Sequence, residues 1–400
     1  MIKIVSFGCR LNSFESEIIR RRCHDASIED VAVVHSCAVT REAERQVKQA
    51  VRRALEQGTK VIVAGCSAQK SAEIFAKLGV AAVFGNKEKL EPGSYKKLAE
   101  LPPGAPTLIL AGGENPSEPD IVPTKFEGRT KAFVQIQQGC DYACSYCIVP
   151  QLRGKSQSFS REYIFGQIEA ALSGGYKEIV LTGVDIASYD GFEALAKEIL
   201  RLFPNLPRLR LSSLDPAKDY EWLFQLMAEE PRIMPYIHLS MQSGDDSVLR
   251  LMGRRHKAAD IIRLVETVRR FVPHIGIGAD IIVGFPSEKS EHFENTYNLI
   301  EKLRIPLLHV FPYSAREGTR AADMPEQVSA QDKKSRTDKL RKLGERLRRG
   351  FISGQIGTIR SVLVESKGVG YTDNYIKVKI NAPENAIVNT EISTDMIYYT

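Results

Sequence analysis

The sequence predicts an α/β chain in three parts: an N-terminal βαβ domain on a parallel sheet, a central partial (β/α)6 barrel, and a small all-β domain. Three observations predict it. Three short apolar runs within residues 1–66 alternate with helical segments, and each ends in a cysteine. From Lys131 onward six strand-like runs alternate with helical ones. The final 50 residues alternate apolar and polar side chains with the two-residue period of strands. The expected boundaries are 1–91, a connection over 92–128, a barrel over 129–350, and 351–400.

Composition narrows the class. With 43% hydrophobic and 26% charged residues the chain reads as a soluble globular protein. No apolar run approaches the roughly 18 residues of a membrane span, so no membrane partner is expected. The opening MIKIVSFGC reads as a strand, not a signal peptide, because no long apolar core follows its lysine. Seven cysteines, an odd number, argue against a disulfide framework and for a reducing, cytoplasmic setting.

In the N-terminal part, IKIVSFGC ends at Cys9, VAVVHSC at Cys37 and TKVIVAGC at Cys66. Between the last two, Thr40 suits an N-cap, Ala43, Val47, Ala50, Val51, Ala54 and Leu55 keep the helical period, and Gly58 closes the segment. Strands and helices alternating in this way predict a parallel sheet, whose ligands gather at the carboxyl ends of the strands near a topological switch point. Cys9, Cys37 and Cys66 all fall there. They can bring three thiolates to one place, or they are small residues buried where strands meet loops. Their identical placement favours a metal cluster. Cys23, inside the helical segment Phe14 to Cys23, has no equivalent and reads as a core or surface thiol. Residues 92–123 then hold seven of the nineteen prolines, from Pro92 to Pro116 and Pro123, as a linker does.

The barrel opens on KAFVQIQQGCDYACSYCIVPQLRG, residues 131–154. Ala132, Val134 and Ile136 alternate with Phe133, Gln135 and Gln137 as a strand, and Gly139 releases a loop with Cys140, Cys144 and Cys147. A 4Fe–4S cube takes four thiolates, one per iron. Three on one short loop leave an iron with an open position, the mark of a reactive site. A structural zinc site would want a fourth Cys or His nearby, and none follows in the next 90 residues. The remaining strands read as 177–183, 208–213, 236–244, 276–286 and 307–314. In such barrels the chemistry sits at the strand C-termini.

The Cys-x3-Cys-x2-Cys loop closely resembles that of the radical S-adenosylmethionine (SAM) enzymes. A three-cysteine N-terminal domain ahead of it is the arrangement of their methylthiotransferase family. SFGCRLNSFESE, HSCAVTREAERQ and LHVFPYSAREGTRAADMPEQV look most like the branch acting on N6-threonylcarbamoyladenosine in tRNA. The resemblance covers essentially the whole chain. It implies two 4Fe–4S clusters, a radical one on Cys140, Cys144 and Cys147 and an auxiliary one on Cys9, Cys37 and Cys66. It implies that SAM lies on the open iron of the first, with Gly183 near its amino group. Ser213, Asp215, Gln242, Ser243 and Gly284 fall near its ribose and adenine. Each glycine is also compatible with a tight turn and each serine with a cap. Arg254 and Arg255 either pair with the SAM carboxylate or phosphate, or end a helix in solvent. GVDIASYD, with Asp185, departs modestly from the family's wording.

The net charge of +6 is concentrated. Between Asp332 and Arg360 ten Lys/Arg face three Asp/Glu, a local +7. That segment begins with a basic amphipathic helix over 329–349, with Leu340, Leu343 and Leu347 on one face. Lys339, Arg341, Lys342 and Arg346 are its candidate RNA contacts, although solvated helix faces are often basic without a partner. Residues 351–400 resemble a short copy of the β-barrel TRAM domain that binds RNA in these enzymes.

The expected activity is methylthiolation of adenine C2 in N6-threonylcarbamoyladenosine next to the anticodon of tRNA. The partners are that tRNA, an electron donor and a sulfur source, with a monomer favoured. Rival readings are the isopentenyladenosine branch, the branch modifying an aspartate of a ribosomal protein, and a non-enzymatic RNA-binding protein stabilised by metal. The last would bind zinc and leave SAM uncleaved.

Overall fold

The computed structural model describes residues 1–113, 118–366 and 368–398. Pro116 of the proline-rich stretch lies outside them. The first domain runs β1 (Ile2–Ser6), α1 (Arg10–Asp25), β2 (Val31–Ser36), α2 (Arg41–Glu56), β3 (Lys60–Gly65), α3 (Cys66–Ala76), β4 (Ala82–Phe84), α4 (Pro92–Ala99) and β5 (Leu108–Leu110). The five strands form one parallel sheet in chain order. Val31, Val33 and Ile62 meet Ile19 and Cys23 of α1 and Tyr95 and Leu98 of α4 on one face. Val34, Val61 and Val63 meet Val47 and Val51 of α2 and Phe75 of α3 on the other. Strand order never reverses, so the expected switch point arises differently: the connections after β1 and β2 leave toward opposite faces. The sheet also extends beyond the expected boundary at residue 91. Pro92 occupies the first turn of α4, where its fixed φ is an asset and its missing N–H costs nothing.

The barrel comprises β6 (Lys131–Gln135), β7 (Gln137–Gln138), α5 (Val149–Arg153), β8 (Gln157–Ser158), α6 (Arg161–Ser173), β9 (Glu178–Thr182), α7 (Phe192–Leu202), β10 (Arg208–Leu211), β11 (Ser213–Leu214), α8 (Glu221–Glu229), β12 (Tyr236–Gln242), α9 (Asp246–Leu251), α10 (Ala258–Phe271), β13 (Gly276–Val283), α11 (Ser290–Leu303) and β14 (Leu307–Pro312). Two parallel sheets, β10-β9-β6 and β11-β12-β13-β14, join where the third strand breaks at Ser212. Together they make six staves open between β6 and β14. Outward-facing Val134, Leu181, Leu211, Leu239 and Ile281 pack into one core with the helices. Both faces of these strands are buried, so the alternation in β6 separates the helix-facing side from the barrel lumen, not core from solvent.

Helix α12 (Ala330–Ser353), capped by the Ser329 side chain at Asp332 N, runs four residues past its expected end. It buries Leu340 and Leu343 against the barrel, with Leu347 beside them. The last domain is an antiparallel sheet of β15 (Ile359–Ser366), β16 (Gly368–Thr372), β17 (Lys377–Ile380) and β18 (Ile387–Glu391), in the order β17-β16-β15-β18. It closes the end of the barrel where the strands begin. Tyr375 stacks on Tyr236 with ring centroids 4.6 Å apart, and Lys131 pairs with Glu365 at 2.5 Å. No helix among the described residues is long and apolar enough to cross a membrane.

Candidate active site

The radical loop is a closed excursion. β7 and β8 pair antiparallel at its base, and Cys140 N donates to Gly154 O at 3.0 Å. Gly139 sits at φ +68°, and a Cβ there would collide with the Lys155 carbonyl. No other residue fits. Gln137, a lumen residue that the sequence reading passed over, donates through Nε2 to Gly139 O at 2.8 Å and accepts from Asp185 N at 2.9 Å. It therefore ties the loop to the turn after β9. Gly183 in that turn approaches Gln137 so closely that a Cβ would lie 2.8 Å from its carbonyl oxygen.

The loop lines a cavity of about 720 Å³ whose far wall is Gly318, Thr319 and Arg320. Arg320 donates to Ala143 O at 2.6 Å, and Gln151 to Gly318 O at 2.6 Å. Arg316 of the same segment pairs with Glu44 of α2, so the segment spans both cysteine-bearing domains. Its sequence, SAREGTR, is part of the stretch that carries the family resemblance.

Arg254 is not a solvated helix end. Its guanidinium is 7% exposed, lies 3.1 Å from Asp215 and 3.5 Å from Cys144 Sγ, and leaves Nε without a partner among the described residues. Arg255 is exposed and covers the Tyr142 ring at 3.5 Å. Ser213 opens β11 on the third stave, and Gln242 ends the neighbouring β12 at φ +65° in a bulge. Gly284 ends β13 at φ +70°, and Lys333 of α12 fills the space a Cβ would take. Asp185 accepts from Ser188, and burial raises its carboxyl above the ordinary range.

Cys9, Cys37 and Cys66 stand at the ends of β1, β2 and β3. Gly8, at φ +107°, lets Cys37 approach: a Cβ would lie 2.9 Å from Cys37 Cβ and 3.1 Å from its Sγ. Burial pushes the Cys37 thiol up to about 11, and the charges of Cys66 and Cys9 add to it. Beneath them lies a buried polar network. Glu15 accepts from Lys89 at 2.7 Å and from Arg153 at 2.8 and 3.0 Å. Arg153 also reaches Asn12 at 3.1 Å, and Asn12 and Asn86 lie 3.8 Å from Cys9 and Cys66. Cys23 stays apart, in the core against α4, with burial pushing its thiol up to about 12.

Each cysteine set offers three thiol sulfurs, the donor type that iron–sulfur clusters take. Ligands of one ion crowd together, and among the described residues only His238, Asp280 and His309 bring three ligand atoms within 4.8 Å of one another. Burial pushes Cys140 and Cys147 each up to about 12, so metal loading must displace thiol protons. The RNA candidates are all exposed; Lys339 lies 3.6 Å from Glu294 and Arg346 pairs with Glu301, both on α11.

Residues 134–300 match the Radical SAM superfamily, and residues 1–85 match Uncharacterized protein family UPF0004. A solved neighbour is the radical SAM methyltransferase TsrM from Kitasatospora setae. It has a TM-score of 0.61 and 14% identity, with 80% of this chain and 76% of that one covered, and it bears on the fold alone. Partial barrel and three-cysteine loop together define a radical SAM enzyme, a class that works with a 4Fe–4S cluster and SAM. The threonylcarbamoyladenosine tRNA methylthiotransferase MtaB of Rickettsia prowazekii is 41% identical over 389 residues, 95% of this chain and 91% of that one. Its counterpart in Thermotoga maritima is 33% identical over 403 residues, 94% and 90%. The chain belongs to this methylthiotransferase family.

Proposed function

We propose that the chain methylthiolates adenine C2 of N6-threonylcarbamoyladenosine beside the anticodon of tRNA. The observation that carries the reading is the pair of three-cysteine sites joined through Glu15 and Arg153, in a chain of that family. Cys140, Cys144 and Cys147 would hold the radical cluster, and Cys9, Cys37 and Cys66 an auxiliary one. The bound groups supply a carbon radical from SAM, sulfur from the auxiliary site and a methyl group from a second SAM.

The chain's own residues bind and orient. Arg254 presents an unpartnered, buried Nε beside the loop, suited to the SAM carboxylate, while Asp215 holds its other edge. Gly183 lets the turn after β9 close on Gln137, which sets the strand end where the SAM amino group would lie. Lys155 and Arg320 give the cavity a cationic rim suited to phosphate, and its volume is within the range of small-molecule sites. Arg341 and Lys342 offer phosphate contacts on the outer helix.

Nucleoside mass spectrometry of tRNA from a deletion strain tests the reading. The 2-methylthio form of N6-threonylcarbamoyladenosine should vanish while its unmodified precursor accumulates. Persistence of that nucleoside, with loss of the isopentenyladenosine derivative or of the ribosomal aspartate modification, would reassign the substrate.

A further inference from the structure

The ends of the first four strands read VSFGC, VVHSC, IVAGC and VFGN: the fourth carries Asn86 where the others carry a cysteine. Asn86 is 2% exposed. Its Oδ1 accepts from Lys89 Nζ at 2.9 Å. An ammonium can only donate, so this contact orients the amide and turns its NH2 toward Leu152 O at 2.8 Å. Cys66 Sγ lies beside the amide, 3.7 Å from Nδ2 and 3.8 Å from Oδ1, and of the two only the NH2 can donate to a thiolate. Leu152 sits in α5, a few residues beyond Cys147. Lys89 is wholly buried and anchored by Glu15. One amide thus touches a strand-end thiol of the first domain and the helix that follows the radical loop.

We propose that Asn86 is a positioning residue for the auxiliary cluster. It donates an N–H···S hydrogen bond to the Cys66 thiolate, Lys89 fixes the direction of that donor, and together they raise the cluster's reduction potential. The inference rests on the assignment of Cys9, Cys37 and Cys66 to a cluster. Reduction adds a negative charge, so a donor on the sulfur and a buried cation stabilise the reduced form more than the oxidised one. The effect is large because water is excluded there. Replacing either group should therefore move the potential to more negative values.

The test uses the full chain with Cys140, Cys144 and Cys147 changed to alanine, so that only the auxiliary site can report. Anaerobic reconstitution should leave about four irons. Asn86→Leu and Lys89→Met are added singly, and the midpoint is read by electron paramagnetic resonance during a redox titration. Lys89→Met is the milder change because the Glu15–Arg153 pair remains. Both variants should retain iron and titrate at more negative potential than the parent. Iron retained with an unchanged midpoint in either variant overturns the proposal. Iron lost from both variants overturns it as well, whether or not the fold survives by circular dichroism, because the two groups would then hold the cluster and not tune it. A parent that binds no iron fails earlier and sinks the cluster assignment itself.

Discussion

Arg153 and Glu15 are 138 residues apart, and their side chains meet in a fork of two hydrogen bonds, 2.8 and 3.0 Å long, with neither group open to solvent. Arg153 closes the helix after the radical loop, and Glu15 belongs to the first helix after Cys9. The two cysteine sites are therefore joined by a buried contact. Burial alone would raise the Glu15 carboxyl, yet Arg153 and Lys89 outweigh it and hold the group far below the usual carboxylate range.

Breaking that pair should cost more than any surface change. Arg153→Met leaves Glu15 to Lys89 alone, and Glu15→Leu leaves two buried cations without a counter-ion. Each should lower the stability of the folded chain by about 3–5 kcal/mol, read from urea midpoints. The double variant should lose less than the sum, because the second change removes a charge that the first stranded. A loss under about 1 kcal/mol in both single variants would show the pair to be solvated in solution.

Two sites predict two iron inventories. Reconstituted protein should carry about eight irons, and alanine at either cysteine set should halve them. Only loss of Cys140, Cys144 and Cys147 should abolish SAM cleavage. Cys23→Ala should leave the iron unchanged and cost about 1–2 kcal/mol at most, as expected for a buried thiol beside α4. Full iron after loss of Cys9, Cys37 and Cys66 would remove the auxiliary site.

What was legible in the chain was local. Cysteines at strand ends, the Thr40 cap (Oγ1 accepting from Ala43 N at 3.1 Å) and the glycine at 139 each announce themselves within a few residues. The strand Leu108–Leu110 did not, because three residues among prolines carry no periodicity. Asn86 was visible only as a cysteine replaced in a repeated pattern. The Glu15–Arg153 pair and the charged barrel floor were invisible, since nothing local marks which distant charge a side chain will meet. The same limit explains Lys339 and Arg346. Their spacing says they are on an outer helix face, but not that Glu294 and Glu301 wait opposite.

The barrel floor predicts a pH dependence. Glu178 is wholly buried; burial raises its carboxyl, but Arg210, Arg208 and Lys131 prevail and bring it from 4.5 down to about 2. A depressed carboxylate stabilises the fold above its unfolded titration near 4.5, and the contribution fades as pH falls toward 2. The shift corresponds to about 3 kcal/mol. Glu178→Gln should therefore be much less stable than the parent at pH 7, with the gap narrowing steadily below pH 4.5. A gap that stays constant down to about pH 3 would place the ionic contribution elsewhere.

The final prediction concerns the grip on RNA. A lysine or arginine on a phosphate adds sequence-independent affinity, and each lost contact should flatten the slope of log K against log salt by roughly 0.7–0.9. Replacing Lys339, Arg341, Lys342 and Arg346 by alanine should weaken tRNA binding and flatten that slope. All four are exposed, but most of the change should come from Arg341 and Lys342, because Lys339 and Arg346 already face carboxylates on α11. Their binding to phosphate would have to give up those pairs. SAM cleavage without tRNA should be unchanged, since the helix is held on the barrel by buried Leu340 and Leu343, and the exposed Lys339–Glu294 and Arg346–Glu301 pairs contribute little to that packing. Unchanged affinity and slope in the quadruple variant would make α12 a brace, and would move RNA recognition to the two cysteine-bearing domains. There the basic outer face of α2, with Arg45, Lys48, Arg52 and Arg53, becomes the surface to mutate next.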